Sequence, residues 1–172
     1  MGKSNYRLIA FIDNLGFKNL VKNNNSDKVL QILISFQNEV KTVSYFEKYL
    51  KEKKKANEFT KQQERISFGD LKKQDRQISL FSDLIVISYS NHRDNIGHSV
   101  NEMIEKLNDL QIKLRPFNVF VRGGISYGEL YHKGNICFGD ALIKAYDIES
   151  KIAIFPRMDL LNFSEVSIKL CC

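Results

Sequence analysis

Long hydrophobic runs are missing from this chain. No stretch approaches the ~18–20 apolar residues that a membrane span requires. The apolar run Leu8 to Ile12, behind a polar Met1 to Asn5, is too short for a secretory signal. Cysteine is scarce. Cys137, Cys171 and Cys172 form an odd set without a spaced framework, which excludes a disulfide-stapled secreted domain. Histidine is equally sparse: His92, His98 and His132 are scattered without the spacing of a zinc site. Internal repeats and low-complexity tracts are absent. These absences lead to the expectation of a soluble, cytosolic, single-domain protein over 1–172.

The chain has 172 residues, 43% hydrophobic and 27% charged, enough for one domain with a real core. Its net charge is +6, and much of the basic excess falls in a charged insertion at about 48–76. Such a run is either a solvated, partly helical face or a patch for a polyanion. It lacks the interleaved aromatics on which single-strand binders stack bases, so nucleic acid is an unfavoured partner.

Tyr6 to Asp13 reads as a buried strand, with a turn at Asn14 to Gly16 and a polar stretch after it. Ser26 or Asp27 caps a helix running to about Lys48, with Val29, Leu30, Ile32, Leu33, Phe36 and Val40 as its apolar positions. Gln77 to Ser90 reads as a hairpin turning near Ser82 and Asp83. A second helix runs from about Asp94 to Leu114, its apolar face supplied by Val100, Met103, Ile104, Leu107, Leu110 and Ile112, and Pro116 closes it. Asn118 to Tyr127 is the third major strand, with Gly123 and Gly124 inside it. Glycine weakens a strand unless another backbone or a ligand comes close. Glu129 to His132 continues extended, Gly134 turns the chain, Asp140 to Glu149 is a short helix, and Ile152 to Phe155 is a last strand. The order gives an α+β fold, a ferredoxin-like βαββαβ core with helices on one face of the sheet and a small helix and strand appended. From Ser167 a further strand begins just as the chain ends, which suggests a truncated C-terminus.

Two stretches carry the chemistry: Phe11-Ile12-Asp13-Asn14-Leu15-Gly16-Phe17 and Phe81-Ser82-Asp83-Leu84-Ile85-Val86-Ile87. Each sets one carboxylate against an apolar, β-branched run. Desolvating an unpaired charge costs several kcal/mol unless something compensates. Two such strands side by side hold two carboxylates close enough to share a divalent cation, and the glycine turn aims backbone N–H groups at a phosphate. Taken singly, either aspartate is an ordinary turn residue.

Four segments resemble the motifs of class III nucleotidyl cyclases, in that family's order. They are the stretch at Asp13, Phe81-Ser82-Asp83 at the hairpin, Val121-Arg122-Gly123-Gly124-Ile125-Ser126-Tyr127-Gly128, and Phe138-Gly139-Asp140-Ala141 through Glu149. The resemblance implies attack of a ribose 3′-hydroxyl on the α-phosphate of a nucleoside triphosphate, assisted by two Mg²⁺ or Mn²⁺ ions. By resemblance Asp13, Asp83 and the backbone carbonyl of Asn14 hold the metals. The N–H groups of Leu15, Gly16 and Phe17 cradle the phosphates, and Ser79 and Ile136 occupy the base-reading positions. Serine and isoleucine there cannot reproduce the purine-reading pattern. In this respect the chain is similar to the pyrimidine cyclases of bacterial Pycsar anti-phage systems, which make cyclic CMP or cyclic UMP.

A second departure concerns the transition state. The family's Asn and Arg are replaced by Ile143 and Asp147, which leaves Lys144 and Arg122 as candidate catalytic cations. Against those roles, Lys144 is an ordinary solvent-facing helix residue and Arg122 a structural partner of Glu129 or Glu149. The resemblance also implies a homodimer whose sites are shared between chains, with the second faces of Asn118 to Tyr127 and Leu84 to Tyr89 as the interface. The alternative is a cyclase-fold module that has lost catalysis and binds a nucleotide or partner. Tyr127 and Tyr131 read as packing residues, His132 as a surface loop residue, and Cys137 as a small apolar filler. Ser82 reads as a turn residue without special dihedral angles.

Overall fold

The computed structural model describes residues 6–23, 26–41, 74–90, 96–160 and 169–171. Strand β1 (Tyr6–Leu15) lies at the centre of a six-stranded sheet, antiparallel to both neighbours, β3 (Leu84–Ser90) and β4 (Phe120–Glu129). Strand β2 (Arg76–Phe81) forms the edge beyond β3, and β7 (Arg157–Leu160) and β8 (Lys169–Cys171) extend the sheet beyond β4. The first four strands with helices α2 (Ser26–Lys41) and α3 (Ile96–Leu114) form the expected βαββαβ core. Among the described residues no helix is long and apolar enough to cross a membrane.

The period of two along β1 sorts its side chains onto two faces. Leu8, Ala10 and Ile12 enter the main core with Phe36 and Val40 of α2 and Met103, Leu107 and Leu110 of α3. Ile9 and Phe11 point the other way, into a smaller cluster with Ala141 and Ala145. Those alanines belong to helix α4 (Asp140–Lys151). The two core helices share one face, as expected, and the appended helix α4 covers the other. Small residues on α4 and glycine on β4 allow this close approach. A Cβ on Gly124 would run into the Ala145 carbonyl, so the glycine inside the strand does answer another backbone.

The helices follow their apolar spacing, with exceptions. Leu30 and Ile112, expected on apolar faces, are exposed because neighbouring positions already fill the stripe. The expected extension of α2 to Lys48, the start of α3 at Asp94 and most of the charged insertion lie outside the described residues. Arg76, at the end of that stretch, opens β2 and is buried. A short helix, α1 (Phe17–Asn23), follows Gly16 where the sequence suggested only a turn and polar chain.

The C-terminal third differs most from expectation. Beyond Leu130 the chain forms a separate hairpin, β5 (Tyr131–Lys133) with β6 (Ile136–Phe138). Ile152 to Phe155 is not a strand. The N–H groups of Ile152 and Ala153 both donate to the Ile148 carbonyl at 3.0 and 2.9 Å, which wraps the chain over the end of α4. The strand starts only after Pro156 and runs parallel to β4, Gly123 opposite Met158.

Candidate functional site

Directly opposed residues in a sheet share a face. Asp13 is opposite Arg122 on β4 and Leu84 on β3, Phe11 is opposite Val86, and Val86 is opposite Ser79 on β2. Asp13, Arg122 and Ser79 therefore lie on one face, the one turned away from α2 and α3. Asp83 sits in the turn between Phe81 and Leu84, one residue from Asp13's partner. The Asp83 carbonyl accepts hydrogen bonds from the Asn14 backbone N–H at 2.9 Å and its Nδ2 at 3.0 Å. Both acidic residues thus occupy the same end of neighbouring strands. Asp83 is exposed and Asp13 half-buried.

Asn14 is buried and clamps the hairpin to the end of β1, while its Oδ1 has no hydrogen-bond partner among the described residues. Leu15 ends β1, Gly16 turns with φ +92°, and Phe17 opens α1 with its side chain buried. The Gly16 carbonyl accepts from the N–H groups of Asn19 and Leu20, and a Cβ at position 16 would strike the Asn118 carbonyl. Ser82 does need a special conformation: its φ is +55°, because a two-residue connection must reverse the chain between paired strands.

Arg122 lies between two carboxylates. Its Nη2 is 2.6 Å from Asp13 Oδ2 and 2.7 Å from Glu149 Oε1 on α4. The Asp13 contact is an aligned hydrogen bond; Glu149 Oε1 is close without that alignment. Burial pushes the Glu149 carboxyl above its ordinary pKa, Arg122's charge opposes the rise, and Asp13's charge adds to it. Of the two structural partners expected for Arg122, the structure shows Glu149.

Lys144 is exposed and does not join this cluster. It precedes Glu149 by five positions, about 140° round the helix. Ile143 is also exposed, and Asp147 pairs with Lys151 at 2.8 Å. Tyr146 packs edge-on against Phe11, ring centroids 5.5 Å apart. Gly124 and Ser126 lie under α4, the Ser126 hydroxyl donating to the Ala141 carbonyl at 2.6 Å. The second face of β4 is therefore not bare, as an interface on it would require. Exposed apolar side chains do stand on the outer side of α4, at Ile143 and Tyr146, and on the β5–β6 hairpin, at Tyr131, Ile136 and Phe138.

Ser79 belongs to a polar chain. Its hydroxyl donates to the Gly134 carbonyl at 2.8 Å and lies 2.9 Å from His132 Nε2. His132 Nδ1 is 2.8 Å from the Ser88 hydroxyl, which accepts from Arg7 Nε at 2.9 Å. Arg7 pairs with Asp75 at 2.8 Å. His132 is thus buried and not a surface loop residue, because the hairpin folds it back onto β2 and β3. Burial, the largest cause, and Arg7's charge bring its pKa down to about 4, against an opposing pull from Asp75. Burial also acts to raise the Asp75 carboxyl, but hydrogen bonds from Arg7 and Gln77 and Arg7's charge outweigh it, so its pKa falls below the ordinary value. Ile136, beyond the hairpin turn, is exposed. Cys137 is half-buried and packs on the smaller cluster; burial raises its thiol to about 11. Tyr127 packs partly buried on the main core, and Tyr131 stacks on Phe138 at the surface.

Sequence reasoning missed Arg7, although the signal was present. Like Asp13, it is a charge inside an apolar strand, and it is buried to 2% exposure.

No family model matches the sequence, and no curated protein matches it. Its fold, however, is found in solved guanylyl cyclase domains. The guanylate cyclase domain of RhGC from Catenaria anguillulae, in complex with GTP, aligns with a TM-score of 0.50 at 10% identity, covering 93% of this chain and 80% of that one. The non-canonical dimeric guanylyl cyclase domain of RhoGC from Blastocladiella emersonii gives 0.51 at 11%, covering 91% and 79%. The catalytic core of a rhodopsin-guanylyl cyclase with converted specificity, in complex with ATPalphaS, gives 0.52 at 11%, covering 96% and 93%. The chain has the α+β fold of a nucleotide cyclase catalytic domain.

Proposed function

We propose that this chain is a metal-dependent nucleotide cyclase that converts a pyrimidine nucleoside triphosphate, CTP or UTP, to its 3′,5′-cyclic nucleotide and pyrophosphate. The observation that carries the reading is the meeting of Asp13 and the Asp83 turn at one end of β1 and β3, in a cyclase fold. Among the described residues no group of three or more His, Cys, Asp or Glu forms a closed metal site. Two hard carboxylates at an open strand end still fit Mg²⁺ or Mn²⁺, which bind through one or two carboxylates with phosphates and water completing the shell. Divalent ions held by Asp13 and Asp83 would make the 3′-hydroxyl more acidic and neutralise charge on the triphosphate.

The remaining roles fall to the protein. The turn at Leu15, Gly16 and Phe17 offers backbone N–H groups to the β- and γ-phosphates. Ser79 and Ile136 meet the base; neither supplies the charged reader of a purine site. Lys144, on the outer side of α4, reaches the site of a second copy in a homodimer and steadies charge developing on the α-phosphate. Arg122 stays within its own chain's site, beside Asp13.

Full-length protein incubated with Mn²⁺ and each of ATP, GTP, CTP and UTP is expected to yield a cyclic nucleotide from CTP or UTP. Asp13→Asn is expected to lower that rate at least about a hundredfold. A second reading, a catalytically silent nucleotide-binding module, is favoured by one observation: Asp147 stands where the family has its transition-state arginine and is tied to Lys151. Nucleotide binding by folded, dimeric protein without any cyclic product would establish that reading instead.

A further inference from the structure

Arg122 serves two carboxylates with one nitrogen. Its Nη2 contacts Asp13 at 2.6 Å and Glu149 at 2.7 Å, and the side chains are 27%, 17% and 7% exposed respectively. The guanidinium balances only one of the two negative charges. Its Nε has no hydrogen-bond partner among the described residues. Glu149 is the deeper carboxylate and the less well satisfied one, since Oε1 approaches Arg122 without hydrogen-bond alignment.

We propose that Arg122 is a latch on Asp13 that a divalent cation must displace, and that Glu149 is the positioning residue that receives the displaced guanidinium. The inference rests on the metal reading of Asp13. A cation at Asp13 would face the positive guanidinium at close range, and the two repel. Turning towards Glu149 removes that repulsion and completes the pairing of a buried carboxylate. Glu149 lies on α4, whose backbone rests on Gly124 of the neighbouring strand. Metal entry is thereby coupled to the helix that carries Lys144. No covalent step is involved.

The latch is tested by titrating Mn²⁺ alone into the full-length protein and following free Mn²⁺ by electron paramagnetic resonance. Arg122→Gln removes the competitor and is expected to tighten Mn²⁺ binding about threefold, the scale of one partly exposed ion pair. Glu149→Gln leaves Arg122 only Asp13 and is expected to weaken binding by about the same factor. If Glu149 acts through Arg122, the double variant binds like Arg122→Gln alone. A Glu149→Gln effect that persists in full without Arg122 means a simple field effect and overturns the latch, as does Arg122→Gln binding no tighter than wild type. Should Arg122→Gln lack cooperative unfolding, Arg122→Met takes its place in the single and double variants and is read in the same way. Asp13→Asn separates the two levels. Mn²⁺ bound as well by that variant as by wild type removes the metal reading together with the latch. Loss of binding there, with Arg122→Gln no tighter than wild type, removes the latch and keeps the metal site.

Discussion

The imidazole of His132 is bonded at both nitrogens, and its partners fix which of them carries the proton. Arg7 Nε donates to the Ser88 hydroxyl, so the Ser88 proton is directed to His132 Nδ1. The Ser79 hydroxyl donates to the Gly134 carbonyl, so its oxygen accepts from His132 Nε2. The chain is fully satisfied by a neutral ring and by one tautomer only. A second proton, on Nδ1, would confront the Ser88 hydroxyl, which already faces Arg7. The other charged group facing the ring is Asp75, paired with Arg7; Cys137 is its cross-strand neighbour. With the folded pKa at about 4 and the ordinary value at 6.5, the unfolded chain binds the proton first as pH falls. The contribution of His132 is therefore complete above about pH 6.5 and is lost as pH drops towards 4. Urea unfolding at stepped pH is expected to show a loss on the order of 2–3 kcal/mol from this group. In His132→Gln that component of the slope is absent. Parallel slopes for the two proteins would refute the assignment.

At the level of elements, the turn at Ser82 and Asp83 concentrates strain at the mouth of the site. Ser82 adopts φ +55°, a left-handed conformation that costs a non-glycine residue about 1 kcal/mol. Ser82→Gly is expected to raise the unfolding free energy by roughly that amount, less the entropy that glycine adds to the unfolded chain, measured as a higher urea midpoint at constant slope. An unchanged or lower midpoint would show that the serine side chain compensates the strain. Strand β1 was legible because alternation and burial agree along it, and the β2–β3 turn because two turn residues separate two β-branched runs. Asp13 stood out because a carboxylate in an apolar strand demands a partner. The placement of α4 was not legible: its small residues Ala141 and Ala145 read as neutral, and only their contact with Gly124 and Gly128 shows which face they cover. Ile152 to Phe155 misled for the opposite reason. An apolar run implies burial only if something covers it, and Ile154 and Phe155 are exposed. His132 was hidden because a local pattern does not show a hairpin folding back onto strands more than forty residues away.

On the scale of the whole molecule, some exposed apolar side chains stand apart, such as Val21, Leu30, Ile112 and Phe120, and others gather. Tyr131, Ile136 and Phe138 stand on the hairpin, and Ile143, Ile154 and Phe155 on α4 and the chain leaving it. Apolar groups gathered in this way mark an association surface. Asp13 lies at the strand ends beside Arg122 and Glu149, whereas Lys144 is exposed about 140° round α4 from Glu149. In the proposed homodimer each site takes Asp13 and Asp83 from one chain and Lys144 from the other. Two individually inactive variants then complement each other. Asp13→Asn and Lys144→Ala, unfolded together in equal amounts and refolded, give half heterodimers by random pairing. Each heterodimer holds one doubly damaged site and one intact site, so about a quarter of all sites recover. Cyclase activity near a quarter of wild type is the expected result, while either variant refolded alone stays inactive. No recovery from mixtures shown by native mass spectrometry to contain heterodimers would mean that each chain builds its site alone, and that Lys144 takes no part in its partner's site.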